Sequence, residues 1–259
     1  MAKFNVGLVL SGGAARGFAH LGVLKALEEK GFKPDIISGV SAGAIAGVFY
    51  ADGYAPEEIV EIYQGKNMFD FIQITLPRTG LFKLTGMKNV LKKYLRARRF
   101  EELKIPLVVT ATSLNEGKPV YFREGDLADA ILASAAVPVL FEVVRINNVE
   151  YIDGGITNNL PLAPIADDCS TLIGVYVNHS GYMDNVKGLG TIAERAFHLA
   201  VSTDIERKKQ LCDLYIEPSE LANFGFFNLK KAHELYQVGY ETAMEDLKGW
   251  KRKVTGNRE

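Results

Sequence analysis

Asp35-Ile36-Ile37-Ser38-Gly39-Val40-Ser41-Ala42-Gly43-Ala44-Ile45-Ala46-Gly47 runs from an apolar strand through a tight glycine turn into a helix of small and apolar residues. Residues 39–43 have the G-x-S-x-G spacing of a nucleophile elbow, with the strand and helix that such a turn requires on either side. A sharp strand-to-helix turn strains the backbone of its central serine. It also brings two chain segments so close that only hydrogen fits at the flanking positions, here Gly39 and Gly43. Ser41 is therefore a candidate nucleophile, expected to stand exposed at a helix N-terminus whose dipole favours developing negative charge. A serine N-cap in a packing turn is the plainer reading of the bare pattern, and the flanking elements weigh against it.

Upstream, Val6-Gly7-Leu8-Val9-Leu10 reads as a buried strand, and Phe18, Leu21, Leu24 and Leu27 recur at helical spacing before Gly31. Between them lies Ser11-Gly12-Gly13-Ala14-Ala15-Arg16-Gly17, a turn whose backbone N–H groups can converge into an anion-binding nest. It is a poor nucleotide loop. Phe18 stands where a P-loop needs Lys, and Ala15 breaks the dinucleotide glycine pattern. Parallel strands would bring this loop and Ser41 to one sheet edge, where the loop can serve as an oxyanion hole. The first fifty residues thus form a βαβα unit. The alternation continues through Glu57–Gln64, Leu107–Thr112, Val120–Phe122, Asp126–Ala135, Leu172–Val177, Ile192–Leu211, Leu214–Ile216 and Leu229–Leu247. This predicts the α/β class, a sheet covered by helices.

Val143–Ile146 and Val149–Ile152 flank Asn147-Asn148, a pair that tolerates positive φ, so a two-residue hairpin is expected to deliver Asp153-Gly154-Gly155. A serine nucleophile needs a base, and the chain has four histidines. His20, His198 and His233 fall inside helical stretches, where packing roles are the plainer reading. His179, after a strand, is placed like the histidine of an α/β-hydrolase. Asp153, on a turn whose glycines allow close approach, is the other candidate, although Asp-Gly-Gly alone also describes an ordinary turn.

Taken together, the loop at Ser11–Gly17, the elbow at Gly39–Gly43 and Asp153-Gly154-Gly155 resemble the patatin-like phospholipase family. The likeness extends to Ala111-Thr112 with Gly117, Gly125-Asp126-Leu127, Ala133-Ser134 with Pro138 and Phe141, and Asn158-Asn159-Leu160-Pro161, covering about residues 6–162. The resemblance implies a three-layer fold with a mainly parallel central sheet, and acyl-ester hydrolysis by a Ser/Asp dyad without histidine, metal or organic cofactor. Carried onto this chain, it makes Ser41 the nucleophile and Asp153 the base, with the amides of Gly12, Gly13 and Ala14 as oxyanion hole. Arg16, beside Gly17, would brace the loop or meet an anionic group. Ala14 departs from the family, which usually has a third glycine there; its N–H remains, but a Cβ penalises positive φ. To take a proton near neutral pH, Asp153 would need a raised pKa. The substrate implied is a phospholipid or lysophospholipid ester. Two alternatives stay open: an α/β-hydrolase triad of Ser41, Asp153 and His179, and a non-enzymatic lipid-sensing protein on the same fold.

The chain has 259 residues, 47% hydrophobic and 24% charged, with a net charge of −1. This balance excludes disorder and gives no signature of nucleic-acid binding. One domain over residues 1–259 is expected, with 163–250 completing the sheet and helices and 251–259 a tail. Cys169 and Cys212 show no metal or redox spacing. The N-terminal apolar run, interrupted by Asn5 and followed by Arg16, reads as a strand rather than a leader, and no stretch of about 20 apolar residues offers a membrane span. A cytoplasmic protein is expected, with peripheral membrane contact as an option. Its peripheral contact would fall in residues 71–100, which carry Arg78, Lys83, Lys88, Lys92, Lys93, Arg96, Arg98 and Arg99 and no acidic residue. Phe71, Ile72, Ile74, Leu76, Leu81, Phe82, Leu84 and Met87 accompany them. This suits a lid or a surface for anionic lipid, or else a basic helix with its apolar face in the core. Phe224-Gly225-Phe226-Phe227 would join the apolar rim or simply pack.

Overall fold

A computed structural model describes residues 2–64, 66, 70–74, 79–179, 181, 187–226 and 228–250. Arg78, Leu76, Phe227 and the predicted tail 251–259 lie outside the described residues. In chain order the elements are β1 (Phe4–Leu10), α1 (Phe18–Glu29), β2 (Ile36–Val40), α2 (Ala42–Ala51), α3 (Pro56–Tyr63), β3 (Gln73–Ile74), β4 (Gly80–Lys83) and α4 (Thr85–Tyr94). They continue as β5 (Leu107–Ser113), β6 (Lys118–Phe122), α5 (Leu127–Ser134), β7 (Val139–Phe141), β8 (Val144–Ile146), β9 (Val149–Asp153) and α6 (Gly155–Asn158). The last are β10 (Cys169–Val175), α7 (Leu189–Ala200), α8 (Ile205–Lys209), β11 (Leu214–Ile216) and α9 (Ala232–Asp246).

The main sheet runs β11-β10-β1-β2-β5-β9-β8, with β6 also paired to β5. Its five strands from β11 to β5 are mutually parallel, while β6, β8 and β9 are antiparallel additions. Central parallel strands are covered on both faces and so read as continuous apolar runs. In β1, Leu8 and Leu10 join the large core under α1, α2, α3 and α9, whereas Val9 faces a smaller core with Ile36, Val108, Leu160 and Ile205. The sheet is therefore mainly parallel and lies between helices, as expected. A second sheet, β3-β4-β7, had no legible sequence signal because its strands are only two to four residues long.

One reading needs correction. The stretch Ile192–Leu211 is not one helix: α7 ends at Ala200 and α8 begins at Ile205, with Val201 and Ile205 buried on either side of the turn. The basic segment has the apolar inner face of a packed helix. In α4, Val90 and Leu91 are buried, and its neighbours Leu95 and Phe100 are also in the core. Lys83 pairs with Glu142, Lys88 with Asp129 and Arg99 with Glu101, while the Arg96 guanidinium lies over Tyr54. Acidic partners from outside residues 71–100 thus offset part of the charge counted within the segment. The Asn147-Asn148 hairpin forms as read, with φ of 48° and 65°.

Candidate active site

The register of β5 decides where the two candidate catalytic side chains meet. One edge of β5 pairs with β2 as far as Val40 opposite Thr110. From Ala111 onward that same edge is taken by β9, which runs the other way and ends with Asp153 opposite Ala111. The opposite edge is filled by β6 from Val109 to Ser113. Val40 and Asp153 are therefore successive neighbours along one seam, and the chain leaves β2 there through Ser41.

Ser41 has φ 51° and ψ −119°, a conformation non-glycine residues rarely adopt. Its N–H donates to Ser134 Oγ at 2.8 Å, and Ser134 Oγ–H donates to the Thr110 carbonyl at 2.6 Å, so α5 ties the elbow to β5. A Cβ on Gly39 would stand 2.7 Å from the Gly43 carbonyl oxygen, and one on Gly43 would collide with the Leu10 carbonyl. The spacing is thus steric in origin, as expected from the pattern. Ser41 is 8% exposed rather than open, and lines a cavity whose wall includes Val137–Leu140.

The Ser41 hydroxyl stands close enough to the buried Asp153 carboxylate to favour its charged form, and Asp153 Oδ1 accepts the Gly155 N–H at 2.7 Å. Burial pushes the Asp153 pKa up from 3.8 to about 6, against the lowering effect of those two groups. No imidazole stands between them. His179 Nδ1 lies 2.7 Å from Glu217 Oε1, and its ring does not line the cavity that holds Ser41 and Asp153. The arrangement places the Glu217 carboxylate, not Asp153, beside the His179 ring.

The glycine loop also departs from expectation at one position. The Gly12 N–H donates to Asn159 Oδ1 at 3.1 Å and so is not free for an oxyanion. The Ala15 N–H is taken by the Phe226 carbonyl at 2.8 Å and the Arg16 N–H by Gly13. The N–H groups of Gly13 and Ala14 have no acceptor among the described residues. Ala14 carries φ 49°, the strained left-handed conformation foreseen for a Cβ at this place. Arg16 is a brace: Nε and Nη2 donate to the Phe224 carbonyl and Nη1 to that of His179, with the guanidinium 4.2 Å from the Phe226 ring centroid. His20 Nε2–H donates to the Ser11 carbonyl at 2.8 Å, and burial holds His20 neutral by lowering its pKa to about 4. His198 does the same for the Asn178 carbonyl at 2.7 Å.

A family model described as patatin-like phospholipase matches residues 8–166. The chain belongs to this family. The patatin-like chain is 33% identical over 179 residues to an uncharacterized NTE family protein of Mycobacterium bovis, covering 68% of this chain and 50% of that protein. It is 29% identical over 271 residues to lysophospholipase NTE1 of Kluyveromyces lactis, covering 91% of this chain and 18% of that one. It therefore spans half or less of the length of these two relatives. Among solved structures, VipD from Legionella pneumophila superposes with a TM-score of 0.58 at 15% identity, over 95% of this chain and 67% of that one, a likeness of fold alone.

Three contributors to this patatin-like site had no role in the sequence reading. Asn159 clamps Gly12, Ser134 clamps Ser41, and Asn178 lines the cavity wall beside Gly13. Asn159 and Ser134 fell within motifs that carried the resemblance, but nothing in residue type or spacing marks a partner 147 or 93 positions away. No described helix is long and apolar enough to cross a membrane.

Proposed function

We propose that the protein is a serine acyl hydrolase acting on carboxylic esters of lipids, of the phospholipid or lysophospholipid type, with Ser41 as nucleophile and Asp153 as its base. The observation that carries this reading is a strained serine placed next to a buried carboxylate in one cavity, at the seam where β2 and β9 meet, with the carboxyl pKa pushed to about 6. Ser41 Oγ attacks the ester carbonyl carbon while its proton passes to Asp153. The resulting oxyanion is met by the N–H groups of Gly13 and Ala14, which need no rearrangement to receive it. Collapse expels the alcohol, which takes the proton back from Asp153. Water then attacks the acyl-serine, giving its proton to Asp153; release of the carboxylic acid returns a proton to Ser41.

Burial of Asp153 serves this cycle. A carboxylate at its ordinary pKa would be a weak base for a hydroxyl, while one near 6 is ionised at neutral pH and holds a proton better in the transition state. The test is a fluorophosphonate probe with peptide mass identification of the labelled residue, together with ester turnover by Ser41→Ala and Asp153→Asn. Labelling of Ser41 and loss of turnover in both variants are expected. A wild-type protein that neither labels at Ser41 nor cleaves any ester would return the chain to the lipid-sensing alternative.

Contact with a lipid surface is read at the rim of the site. Val139, 75% exposed, stands on the cavity wall, and Leu81, 45% exposed, belongs to the strand β4 paired with Val139's strand β7. Exposed apolar side chains next to a basic helix suit the boundary of an anionic bilayer.

A further inference from the structure

Two cavities open from Ser41, and their walls differ in chemistry. The wider, about 550 Å³, carries Asp153, Asn159 and Asn178 together with the Gly13 and Ala14 backbone. Two of its polar atoms, Asn159 Nδ2 and Asn178 Oδ1, are buried without a protein partner among the described residues. The narrower, about 120 Å³, lies beneath α2 and is apolar apart from Ser41 at its mouth and the hydroxyl of Tyr63. Ser41, Ala14 and Val137 belong to both.

We infer that the narrow chamber receives the acyl chain of the ester, the wide one its alcohol half, and that Ala46 and Met87 determine the acyl length accepted. The inference rests on the hydrolase reading and goes further by orienting the substrate. An acyl chain brings methylenes and nothing to hydrogen-bond, so it is matched by a wall without orphaned donors or acceptors. A glycerol or phospho-alcohol half carries oxygens and hydroxyls that can satisfy Asn159 Nδ2 and Asn178 Oδ1.

The length limit comes from α2. Ser41, Ala42, Ile45 and Ala46 all line the chamber, so it follows the helix for a little over one turn. Ala46 lies five residues beyond Ser41, about 7.5 Å along the axis, the reach of about six methylenes. The volume agrees, since an apolar cavity of about 150 Å³ takes up one benzene ring. The far wall is stiff: the Tyr63 ring lies 5.4 Å from Phe71 and 5.6 Å from Phe18 between centroids, and all three are buried. The outer wall is softer. Met87 is only partly buried, is linear and polarizable, and meets the Tyr63 hydroxyl through sulfur at 3.9 Å.

The test is a series of nitrophenyl esters from butanoate to dodecanoate with wild type, Ala46→Phe and Met87→Ala, read as ratios of kcat/KM. Wild-type values should rise by about fourfold per methylene to around six carbons and then level. Ala46→Phe should cut the octanoate-to-butanoate ratio at least tenfold, and Met87→Ala should raise the dodecanoate-to-butanoate ratio. Calorimetric binding of the corresponding fatty acids to all three proteins reads the chamber without turnover and should show the same steps. It also covers the case of an Ala46→Phe protein that does not fold, because Met87→Ala removes side-chain volume at the chamber's outer edge. Length profiles that coincide in all the folded proteins would overturn the inference. So would a profile moved by Val201→Phe, on the wide cavity, and not by Ala46→Phe or Met87→Ala. Failure of the hydrolase reading looks different: no ester is cleaved at any length, while graded fatty-acid binding persists.

Discussion

Asn159 Oδ1 accepts the N–H of Gly12 at 3.1 Å, joining the loop after β1 to the end of α6, the short helix that follows Asp153. The bond sets the height of the glycine loop over Ser41, since a Cβ on Gly12 would lie 3.3 Å from the Ser41 Cβ. Asn159→Leu should orphan a buried N–H, costing about 1–3 kcal/mol of stability in urea denaturation, and should lower turnover as Gly13 and Ala14 lose their placement. Asn159→Asp keeps an acceptor but adds a charge. Oδ1 of Asn159 and of Asp153 each stand 3.0 Å from the place a Gly155 Cβ would take, so the two carboxylates would be within about 6 Å and the acid limb of the pH profile should move above 6.

With Asp153 titrating near pH 6, kcat/KM for a soluble ester should be flat above about pH 7 and fall tenfold per unit well below 6. Stability should run the other way. Between about pH 4 and 6 the unfolded chain has lost this proton while the folded chain keeps it, so the fold is favoured at low pH and loses that advantage as pH rises through 6. The shift from 3.8 to about 6 corresponds to roughly 3 kcal/mol. The stability difference between Asp153→Asn and wild type should therefore move by about that much in the variant's favour from pH 4 to pH 8. An unchanged difference across that range contradicts the assignment.

Ser41 at φ 51° holds strain worth about 1–3 kcal/mol that glycine does not incur. Both Ser41→Gly and Ser41→Ala should abolish turnover, yet the glycine variant should be the more stable by about 1 kcal/mol in thermal or urea unfolding. Glycine in a relaxed turn would give the opposite order, through its larger unfolded-state entropy.

Histidine substitutions should separate packing from chemistry. His179→Ala breaks a half-exposed pair with Glu217 and should keep turnover within about tenfold of wild type. His198→Ala should do more harm, because it leaves the Asn178 carbonyl without its donor in a buried site, costing about 1–3 kcal/mol. Loss of soluble-ester turnover in a folded His179→Ala protein would point to an imidazole mechanism.

Leu81→Asp, alone or with Lys92→Glu and Lys93→Glu, should weaken sedimentation with anionic vesicles, and added salt should weaken wild-type binding. Arg96 is a poor target for the same experiment, since it stacks on Tyr54 and its backbone N–H donates to Asp52. Vesicle binding equal in wild type and triple variant would remove residues 81–93 from any membrane contact.

The alternation of apolar strands with helical periodicity determined the α/β class, and Gly39-Val40-Ser41-Ala42-Gly43 determined the elbow, because both depend on contacts between residues near in sequence. A glycine required by the carbonyl of its own turn is legible locally. The breaks at Val201–Asp204 and the strands β3, β4 and β7 were not legible, since too few residues carry each signal. Asp153 could be recognised from its turn and the family likeness, but its place beside Ser41 was decided by register: β9 enters the edge of β5 that β2 leaves. The availability of Gly12, the standing of His179 and the pKa of Asp153 were tertiary matters too. A backbone N–H is a donor in any sequence, and whether it is free depends on what arrives from elsewhere, here Asn159 from 147 residues away. Burial, not residue type, raises a carboxyl pKa, and it exists only once the tertiary fold has packed around Asp153.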